Sequence, residues 1–408
     1  MKTSKRVLIV GAGHAGGSLA AQLRQSGFAG DITLIGAENT YPYHRPPLSK
    51  SLAKEPVKWL NDPGFYDEQK IVVRLGTKVT AVDQTNHHVQ LSNGEQLAYD
   101  YLVLATGAEP RRLDIPGATL AGVLTLRDHA DAEELHSLVD AGRPLAIIGG
   151  GFIGLEVAAA ARAKGVEVTI LERDERILGR AGSPALSSML TEYHRSKGTR
   201  ILTGCDVLGF QCDRGDVRGV SLANGQNIRC GTVLVGAGAT PRDELAVALG
   251  LNIDNGVIVD ECGKTSDPAI YAIGDLTNRP VDPKYSSIGR MRMESIPSAV
   301  EQARNVAASI TSTPSGKTEV PWFWSDQFDL KLKIAGIVVG DYQTSVLGDP
   351  HSGSYALFHH DGGRLVAAET VNSAKYFMQA KRILATQTEQ GPDGLQSVLG
   401  VLPELVRK

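Results

Sequence analysis

Cysteine is scarce in this chain of 408 residues, which contains only four. They are Cys205, Cys212, Cys230 and Cys262, with no C-x-x-C spacing and no histidines arranged around them as metal ligands. This absence argues against a zinc site and against a disulfide framework. Isolated thiols are typical of a reducing compartment, so we predict a cytoplasmic protein without a bound metal ion.

The chain also lacks a long hydrophobic run and a strong charge of either sign. Its 42 basic and 45 acidic side chains give a formal net charge of −3, which does not predict nucleic-acid binding. No segment approaches the ~20 apolar residues of a membrane span. Lys2, Lys5 and Arg6 resemble the start of a signal peptide, but the apolar run after them stops at Gly11. We therefore predict neither a membrane nor a nucleic acid as a partner.

Glycine, by contrast, is abundant, and it forms two motifs, GAGHAG at residues 11–16 and GGGFIG at residues 149–154. Each motif follows a short apolar run, residues 7–10 or 145–148, and precedes a stretch rich in small and apolar residues. In this strand–turn–helix context, glycines let the backbone and the helix N-terminus approach a pyrophosphate. Two such motifs predict two dinucleotides, one of which passes electrons to the other.

The segments that follow the two motifs repeat one pattern. Apolar residues 32–35 and 168–171 predict the second strand of each unit. Small residues at 105–107 and 236–240 predict a turn close to each nucleotide. This duplication predicts an α/β fold with two related, Rossmann-like dinucleotide-binding domains.

The tail of the chain has a different composition. It follows a linker rich in Ser, Thr, Gly and Pro at residues 311–318. Strands are predicted at residues 331–339, 355–359 and 365–371, and a helix at residues 374–388. We predict a small α+β C-terminal domain.

Six motifs occur in a fixed order: GxGxxG, P-x-x-R-P-P-L-S-K (residues 42–50), A-T-G, a second GxGxxG, T-S-x-P-x-I-Y-A-x-G-D (residues 265–275) and P-W-F-W-S-D-Q (residues 321–327). This set resembles the FAD-dependent, NADH-oxidising ferredoxin reductases of bacterial Rieske-type oxygenase and haem-thiolate monooxygenase systems. That family is related to rubredoxin reductase and apoptosis-inducing factor. The resemblance extends from residue 7 to about residue 382, and it implies a glutathione-reductase-like fold with FAD and NADH as cofactors.

The resemblance also implies a domain arrangement. A discontinuous FAD-binding domain would comprise residues 1–108 and 240–318, and an NAD-binding domain, residues 109–239, would be inserted into it. The C-terminal domain would then comprise residues 319–408.

The motifs and the resemblance together assign residues to each cofactor. For FAD they are Gly11, Gly13, His14, Ala15, Ala37, Glu38, Arg45, Lys50, Val79, Ala105, Arg127, Asp275, Ile296 and Trp324. For NAD they are Gly149, Gly151, Ile153, Gly154, Glu172, Arg180 and Gly236.

Two positions depart from the family pattern. Gly36 occupies the end of the second strand, where an acidic residue usually holds the adenosine ribose, and Glu38 is a candidate substitute. Ser298 stands where many relatives carry Asn, within an otherwise matching Arg-x-Glu-Ser segment.

Lys50 and Glu156 are the predicted catalytic residues. The resemblance places Lys50 close to flavin N5 and pairs it with Glu156, two residues after the second glycine motif. The alternative is that Lys50 is an exposed surface lysine and that Glu156 only interacts favourably with the dipole at the start of its helix. Disulfide reductases of this fold carry a redox cysteine pair near residues 45–50, whereas this chain has RPPLSK there. Electrons are therefore expected to leave from the flavin edge to an external carrier.

Glu172 follows the predicted strand at residues 168–171, about 20 residues after the second glycine motif, where an acid bonds the ribose 2′-hydroxyl. A carboxylate there would repel a 2′-phosphate, which favours NADH over NADPH. Arg173 and Arg180 could partly neutralise that phosphate.

Asp275 and two tryptophans each have two interpretations. Asp275 is expected to bind the ribityl chain or pyrophosphate region of FAD, or else to cap a helix. Trp322 and Trp324 are expected either to pack in the core or to contact the cofactor and line the electron exit.

Basic residues form two acid-free groups, either of which could be solvated or could dock an acidic partner. The groups are Lys284, Arg290 and Arg292, and Lys375, Lys381 and Arg382. We predict that they dock an acidic [2Fe-2S] ferredoxin transiently, and that the protein is a monomer or a weak dimer. The alternatives are a rubredoxin reductase, an NADH oxidase, or a redox sensor like apoptosis-inducing factor.

Overall fold

The computed structural model describes residues 5–52, 55–316, 318–340, 342–386 and 404–405. The chain forms two compact units. Unit 1 comprises Met1–His44, Val57–Glu109 and Thr240–Pro321. Unit 2 comprises Arg45–Pro56, Pro110–Ala239 and Trp322–Lys408. The division into an FAD, an NAD and a C-terminal domain stays a prediction.

The strands and helices of the described residues have the following bounds. The first strands are β1 Arg6–Val10, β2 Asp31–Ile35, β3 Ile71–Arg74, β4 Val79–Asp83, β5 His88–Leu91, β6 Gln96–Ala98, β7 Tyr101–Leu104, β8 Ala108–Pro110 and β9 Val123–Leu124. The next are β10 Leu145–Ile148, β11 Val168–Leu171, β12 Arg200–Leu202, β13 Val207–Asp213, β14 Asp216–Leu222, β15 Asn227–Arg229, β16 Thr232–Val235, β17 Ala239–Pro241 and β18 Val257–Ile258. The last are β19 Ile270–Ala272, β20 Thr277–Pro280, β21 Arg290–Arg292, β22 Trp322–Gln327, β23 Leu330–Gly336, β24 Gln343–Asp349, β25 Ser354–Asp361, β26 Arg364–Val371 and β27 Glu404–Leu405. The α-helices are α1 His14–Gln25, α2 Pro47–Lys50, α3 Pro63–Glu68, α4 His129–Asp140, α5 Phe152–Ala163, α6 Pro184–Ser196, α7 Glu244–Ala248, α8 Ile296–Thr311 and α9 Ala374–Thr386.

Unit 1 is built on a parallel five-stranded sheet in the order β19-β7-β1-β2-β3. Side chains alternate along β1, so Val7 and Ile9 face a core with α1 and α8, whereas Leu8 and Val10 face a second core. Both faces are therefore buried, which explains why the strand is apolar at every one of these positions.

Unit 2 repeats this plan with a parallel sheet in the order β12-β11-β10-β16-β9. On β10, Leu145 and Ile147 face a core shared with α4, α5 and α6, while Ala146 and Ile148 face the sheet β13-β14-β15. The predicted pair of related α/β folds is confirmed.

The tail forms an antiparallel six-stranded sheet in the order β22-β23-β26-β25-β24-β27, against which α9 packs. This confirms the predicted α+β tail, in which residues 387–388 of the predicted helix lie outside the described residues. Its buried residues Leu332 and Tyr355 belong to the same core as Leu145, so the tail packs within unit 2.

No helix within the described part of the chain is both long enough and apolar enough to cross a membrane.

Candidate functional site

The first glycine motif forms a tight turn between β1 and α1. Gly11 has a φ of +118°, and a Cβ atom added there would lie 2.1 Å from the carbonyl oxygen of Ala105. A Cβ at Gly16 would lie 1.9 Å from the carbonyl oxygen of Gly11. At Gly13, the N-cap of α1, an added Cβ meets no atom within 4 Å. The turn is therefore closed at its base and open where a pyrophosphate would approach.

The structure gives a physical reason for the departure at Gly36. A Cβ atom there would lie 2.7 Å from the Cβ of Ala12, so no acidic side chain fits at the end of β2. Glu38 lies two residues further on, where its Oε2 accepts a hydrogen bond of 2.7 Å from the hydroxyl of Tyr43. Glu38 thus remains the candidate ribose ligand, with Tyr43 as a hydrogen-bond partner of its carboxylate.

The carboxyl ends of the parallel strands bring other predicted FAD residues to one edge of the sheet. Ala37 follows β2, Ala105 follows β7, and Asp275 lies in a 3-10 turn, Gly274–Leu276, that follows β19. A Cβ at Gly274 would lie 2.9 Å from the Cβ of Ala15, so this turn lies against the start of α1. This is the edge at which open α/β sheets bind nucleotides.

The remaining predicted FAD residues of unit 1 are distributed over other elements. His14 is the first residue of α1, and its ring centroid lies 5.5 Å from that of His44. Ile296 begins α8, which packs on α1, and Val79 begins β4 and packs against the second core of the sheet.

Ser298, the other departure from the family pattern, is buried on α8. Its Oγ accepts hydrogen bonds from Arg279 Nη1 at 3.2 Å and from Gln302 Nε2 at 3.2 Å. Arg279 also donates to Glu301 at 2.7 Å. The serine therefore belongs to a buried structural network within unit 1.

The second glycine motif has the same geometry between β10 and α5. Gly149 has a φ of +105°, and a Cβ there would lie 2.4 Å from the carbonyl oxygen of Gly236. A Cβ at Gly154 would lie 2.6 Å from the carbonyl oxygen of Gly149, whereas a Cβ at Gly151 meets nothing within 4 Å. Ile153, in the first turn of α5, is half exposed. Five predicted NAD residues therefore surround one open cradle.

Glu172 is tied to this cradle by its own carboxylate. It follows β11, and its Oε2 accepts a hydrogen bond of 2.6 Å from the backbone N–H of Gly150, inside the glycine motif. Its Oε1 accepts a bond of 2.9 Å from the N–H of Asp174. The carboxylate is thus held beside the turn, where a nucleotide ribose is expected.

The predicted residue Arg180 lies in a loop that is held by Arg176, a residue that was not predicted from the sequence. The guanidinium of Arg176 donates to the carbonyl oxygens of Leu178, Gly179 and Gly182 at 3.3, 2.9 and 2.8 Å. Arg180 is exposed, with its Nη2 3.6 Å from a Cβ built at Gly238. Arg176 therefore holds the loop in place. The sequence signal that could have revealed its role is the segment RILGRAG at residues 176–182, in which an arginine is followed by small residues.

Lys50 and Glu156 form the predicted ion pair within unit 2. Lys50 ends α2 and its Nζ lies 2.8 Å from Glu156 Oε1, on α5, and 3.1 Å from Asp326 Oδ2, on β22. The Lys50 side chain is 17% exposed, which excludes the alternative of a solvated surface lysine.

Two buried hydroxyl groups complete the surroundings of the Glu156 carboxylate. Ser49 donates a short hydrogen bond to its Oε2, and Ser325 donates to its Oε1 at 2.6 Å. Neither serine was predicted as a site residue from the sequence, although both lie in the motifs that carry the resemblance. Because a buried polar group is costly when unpaired, these donors and Lys50 together supply the partners that the Glu156 carboxylate needs inside the protein.

The other predicted FAD residues lie in unit 2. Arg45 Nη1 donates to the carbonyl oxygen of Arg127 at 2.7 Å. Trp324 lies on β22, where its ring is 5.4 Å from that of Trp322, and both side chains are half buried. The Nζ of Lys381, on α9, lies 5.0 Å from the Trp322 ring centroid, a cation–π contact.

The charges of the first basic group are paired within unit 1, so its predicted part in docking stays a prediction that this geometry does not favour. Lys284 pairs with Asp282 at 3.0 Å, Arg292 forms a short ion pair with Glu294, and both basic side chains are mostly buried. Arg290 donates to backbone carbonyl groups, among them that of Asn278 at 2.7 Å. The acids lie outside the acid-free stretch, so the local sequence did not reveal this neutralisation.

The second basic group lies on α9, where two of its three members are exposed and Lys381 is partly buried. Lys375 and Arg382 are exposed at helical spacing, with Met378 between them at 63% exposure. This face therefore combines positive charge with an apolar side chain.

The four cysteines are free thiols. Burial raises the pKa of Cys230 to about 12 and raises the pKa of both Cys205 and Cys262. These three thiols are therefore poor nucleophiles near neutral pH. Within the described residues, no group of His, Cys, Asp or Glu side chains is arranged to hold a metal ion.

Comparison with known proteins adds to this geometry. The pyridine nucleotide-disulphide oxidoreductase family matches residues 5–303, and the reductase C-terminal family matches residues 322–398.

Individual relatives match over nearly the whole chain. "Probable ferredoxin reductase CtmF" of Castellaniella defragrans is 41% identical over 94% of this chain and 94% of its own length. Rhodocoxin reductase of Rhodococcus erythropolis is 40% identical over 95% of this chain and 91% of its own length. A solved covalent putidaredoxin reductase–putidaredoxin complex superimposes with a TM-score of 0.93 at 36% identity, covering 98% of this chain and 99% of that chain.

Proposed function

This chain belongs to the ferredoxin reductases of the pyridine nucleotide-disulphide oxidoreductase family, and we propose that it passes electrons from NADH through FAD to a small [2Fe-2S] ferredoxin that supplies an oxygenase. The observation that carries the proposal is the pair of cradles, one in each unit. Each cradle closes on backbone carbonyl oxygens at its first and last glycine and stays open at its N-cap glycine. Two sites of this kind suit a donor and an acceptor dinucleotide.

The residues of unit 1 fit the FAD pyrophosphate and ribose. The N–H groups of the first turn of α1, beyond Gly13, would bind the pyrophosphate, with Asp275 and Glu38 supplying carboxylates nearby for hydroxyl groups. The residues of unit 2 fit NADH in the same way, with Gly151 opposite the pyrophosphate and Glu172 near the ribose. FAD, when bound, supplies a ring that takes a hydride from NADH and releases its electrons one at a time.

Lys50 would hold a positive charge next to the flavin ring in this reaction. The carboxylate of Glu156 and the hydroxyl groups around it hold the ammonium in one place, so no reorganisation is needed when negative charge develops on the ring.

Replacing Lys50 with alanine is expected to slow flavin reduction by NADH about a hundredfold, the usual effect of losing a preorganised group beside developing charge. Stopped-flow absorbance of the flavin at several NADH concentrations measures this rate. Lys164→Ala serves as the control, because Lys164 pairs with Asp140 at 2.5 Å elsewhere in unit 2. Equal rates in the wild type and Lys50→Ala would refute the role of Lys50.

The exposed face of α9 is the proposed docking surface for the ferredoxin. Lys375 and Arg382 would attract an acidic partner, and Met378 would provide apolar contact in a short-lived complex. Lys381, on the same helix, lies over the ring of Trp322, and Trp322 in turn contacts Trp324 on β22. The first basic group offers no such surface, because its charges are neutralised within unit 1.

Charge reversal tests this surface. The double variant Lys375→Glu, Arg382→Glu is expected to raise the KM for an acidic [2Fe-2S] ferredoxin roughly tenfold at low ionic strength, with ferricyanide reduction unchanged. Arg229→Glu is the matched control, since Arg229 is an exposed basic residue on β15 in the same unit. If the double variant has the same KM for ferredoxin as the wild type, with the same dependence on salt concentration, ferredoxin docks elsewhere.

The function as a whole is tested by NADH oxidation with and without a [2Fe-2S] ferredoxin, followed by cytochrome c reduction. Strong dependence on ferredoxin is the expected result. Equal turnover with oxygen alone would identify an NADH oxidase, and preference for a rubredoxin would identify a rubredoxin reductase. A monomeric or weakly dimeric state and a cytoplasmic location stay predictions.

A further inference from the structure

At the end of the P-W-F-W-S-D-Q motif, only the Ser325 hydroxyl group has a role in the proposed reaction so far. Ser325 and Gln327 lie two residues apart on β22, so their side chains point to the same face of the strand. Both are buried, although polar side chains are costly to bury without partners. Their contacts therefore need a specific explanation.

These two side chains form the middle of a buried hydrogen-bonded chain inside unit 2. Ser325 Oγ donates to Glu156 Oε1 at 2.6 Å. Gln327 Nε2 donates to Ser325 Oγ at 3.1 Å, and Gln327 Oε1 lies 2.9 Å from His194 Nε2. The chain thus runs from the Lys50–Glu156 ion pair on α2 and α5, through β22, to α6.

The charge on Glu156 determines the direction of every bond in this chain. A carboxylate only accepts, so Ser325 must donate its hydrogen to Glu156 and accept from Gln327. The amide nitrogen of Gln327 then faces Ser325, which leaves its carbonyl oxygen to accept from His194. His194 must therefore carry its hydrogen on Nε2.

His194 is a suitable end for the chain. It is fully buried, and burial lowers its pKa to about 4, so the ring is neutral near pH 7. Its Nδ1 has no hydrogen-bond partner among the residues that the structure describes, which is consistent with the tautomer that has its hydrogen on Nε2. The other end of the chain lies beside Asp326, whose side chain is 44% exposed.

We propose that Ser325 and Gln327 are positioning residues for hydride transfer, which hold the Glu156 carboxylate in the orientation that fixes the Lys50 ammonium. The proposal rests on the role given to Lys50 under the proposed function. Neither residue needs to touch a cofactor. Their effect passes through Glu156, because a misplaced carboxylate lets the ammonium move away from its working position.

Removal of one hydroxyl group tests this. In the FAD-loaded enzyme, Ser325→Ala is expected to slow the limiting rate of flavin reduction by NADH about tenfold, because a small misplacement near the reacting atoms is enough. The dissociation constant for NADH should change by less than about twofold, since binding groups are untouched. Ser325→Thr, which keeps the hydroxyl group, should restore most of the rate.

Ser345→Ala is the matched control for the loss of a buried serine. Ser345 is buried on β24, and its Oγ lies 3.3 Å from a ring nitrogen of His360. This pair is not part of the hydrogen-bonded chain between Glu156 and His194. This variant should keep the wild-type reduction rate. Equal slowing in Ser345→Ala would mean that general loosening of unit 2, and not the position of Glu156, explains the effect.

The tautomer of His194 is a second measurement that does not depend on turnover. Nitrogen-15 NMR of the holoenzyme should show His194 with its hydrogen on Nε2 in the wild type and in Ser345→Ala. Ser325→Ala should give a mixture of tautomers, because Gln327 is then free to reverse. A hydrogen on Nδ1 in the wild type would overturn the proposed chain.

The two measurements separate this proposal from the proposed function. If Lys50→Ala slows flavin reduction but Ser325→Ala changes neither the rate nor the tautomer, the positioning role is wrong and the function stands. A changed tautomer with an unchanged rate likewise overturns the positioning role. If Lys50→Ala leaves the rate unchanged, the assigned role of Lys50 itself fails.

Discussion

Gly13→Ala is expected to fold normally and to lose FAD. The N-cap conformation of Gly13, with a φ of −85°, is one that alanine adopts readily, and the added Cβ would meet no atom of the protein within 4 Å. The methyl group would instead occupy the space reserved for the pyrophosphate. Each charge-assisted hydrogen bond lost to a phosphate costs about 1.5–3 kcal/mol, or roughly ten- to a hundredfold in affinity.

The flavin content of the purified protein, together with its circular dichroism spectrum, measures both parts of this expectation. Gly16→Ala is the contrasting variant, because its Cβ would lie 1.9 Å from the backbone oxygen of Gly11 and neither backbone can yield. That variant should fail to fold. If Gly13→Ala keeps a full complement of FAD, the first cradle does not bind the pyrophosphate.

Gly151→Ala applies the same logic to the second cradle. A Cβ there also meets nothing within 4 Å, so this variant should keep FAD and bind NADH roughly ten- to a hundredfold more weakly. The pair of variants would thus assign one nucleotide to each unit.

The second large effect concerns the choice of nicotinamide nucleotide. The Glu172 carboxylate is held beside the second cradle by the N–H groups of Gly150 and Asp174. A 2′-phosphate ~4 Å from this charge would be disfavoured by ~4 kcal/mol at an effective dielectric constant of ~20, or about a thousandfold in affinity. We therefore expect kcat/KM to favour NADH over NADPH by up to that factor.

Glu172→Gln should reduce this preference mainly by raising kcat/KM for NADPH. The amide oxygen can still accept one of the two backbone hydrogen bonds, so the turn should be preserved. Glu175→Gln is the control, because Glu175 is an exposed acid three residues further along the chain. A wild-type enzyme that prefers NADPH would contradict the assignment, and would direct attention to Arg173 and Arg180.

The glycine motifs and the strands around them could be predicted because they depend on short-range rules. A tight turn after an apolar strand needs glycine whatever the rest of the chain contains. A strand that is apolar at every position indicates a parallel sheet buried on both faces. The ion pair of Lys50 and Glu156 was also predicted, but from the resemblance and not from the local pattern.

The first basic group shows where local reading fails. The stretch of residues 284–292 contains no acid, yet Lys284 and Arg292 bind acids just outside it. Arg290 donates to backbone carbonyl groups elsewhere in unit 1, among them that of Val259 at 2.5 Å. A charge is available to a partner only if the fold leaves it unpaired, and this cannot be counted along the chain.

The sequence by itself determined the two cradles, the apolar strands that precede them, and the absence of a redox cysteine pair near residues 45–50. Only the tertiary structure decided what surrounds Glu156. Its partner Ser325 lies 169 residues away, and Gln327 reaches His194 across 133 residues. Local geometry follows from the neighbouring residues, whereas a buried carboxylate is stabilised by whichever donors the folded chain brings within hydrogen-bonding distance.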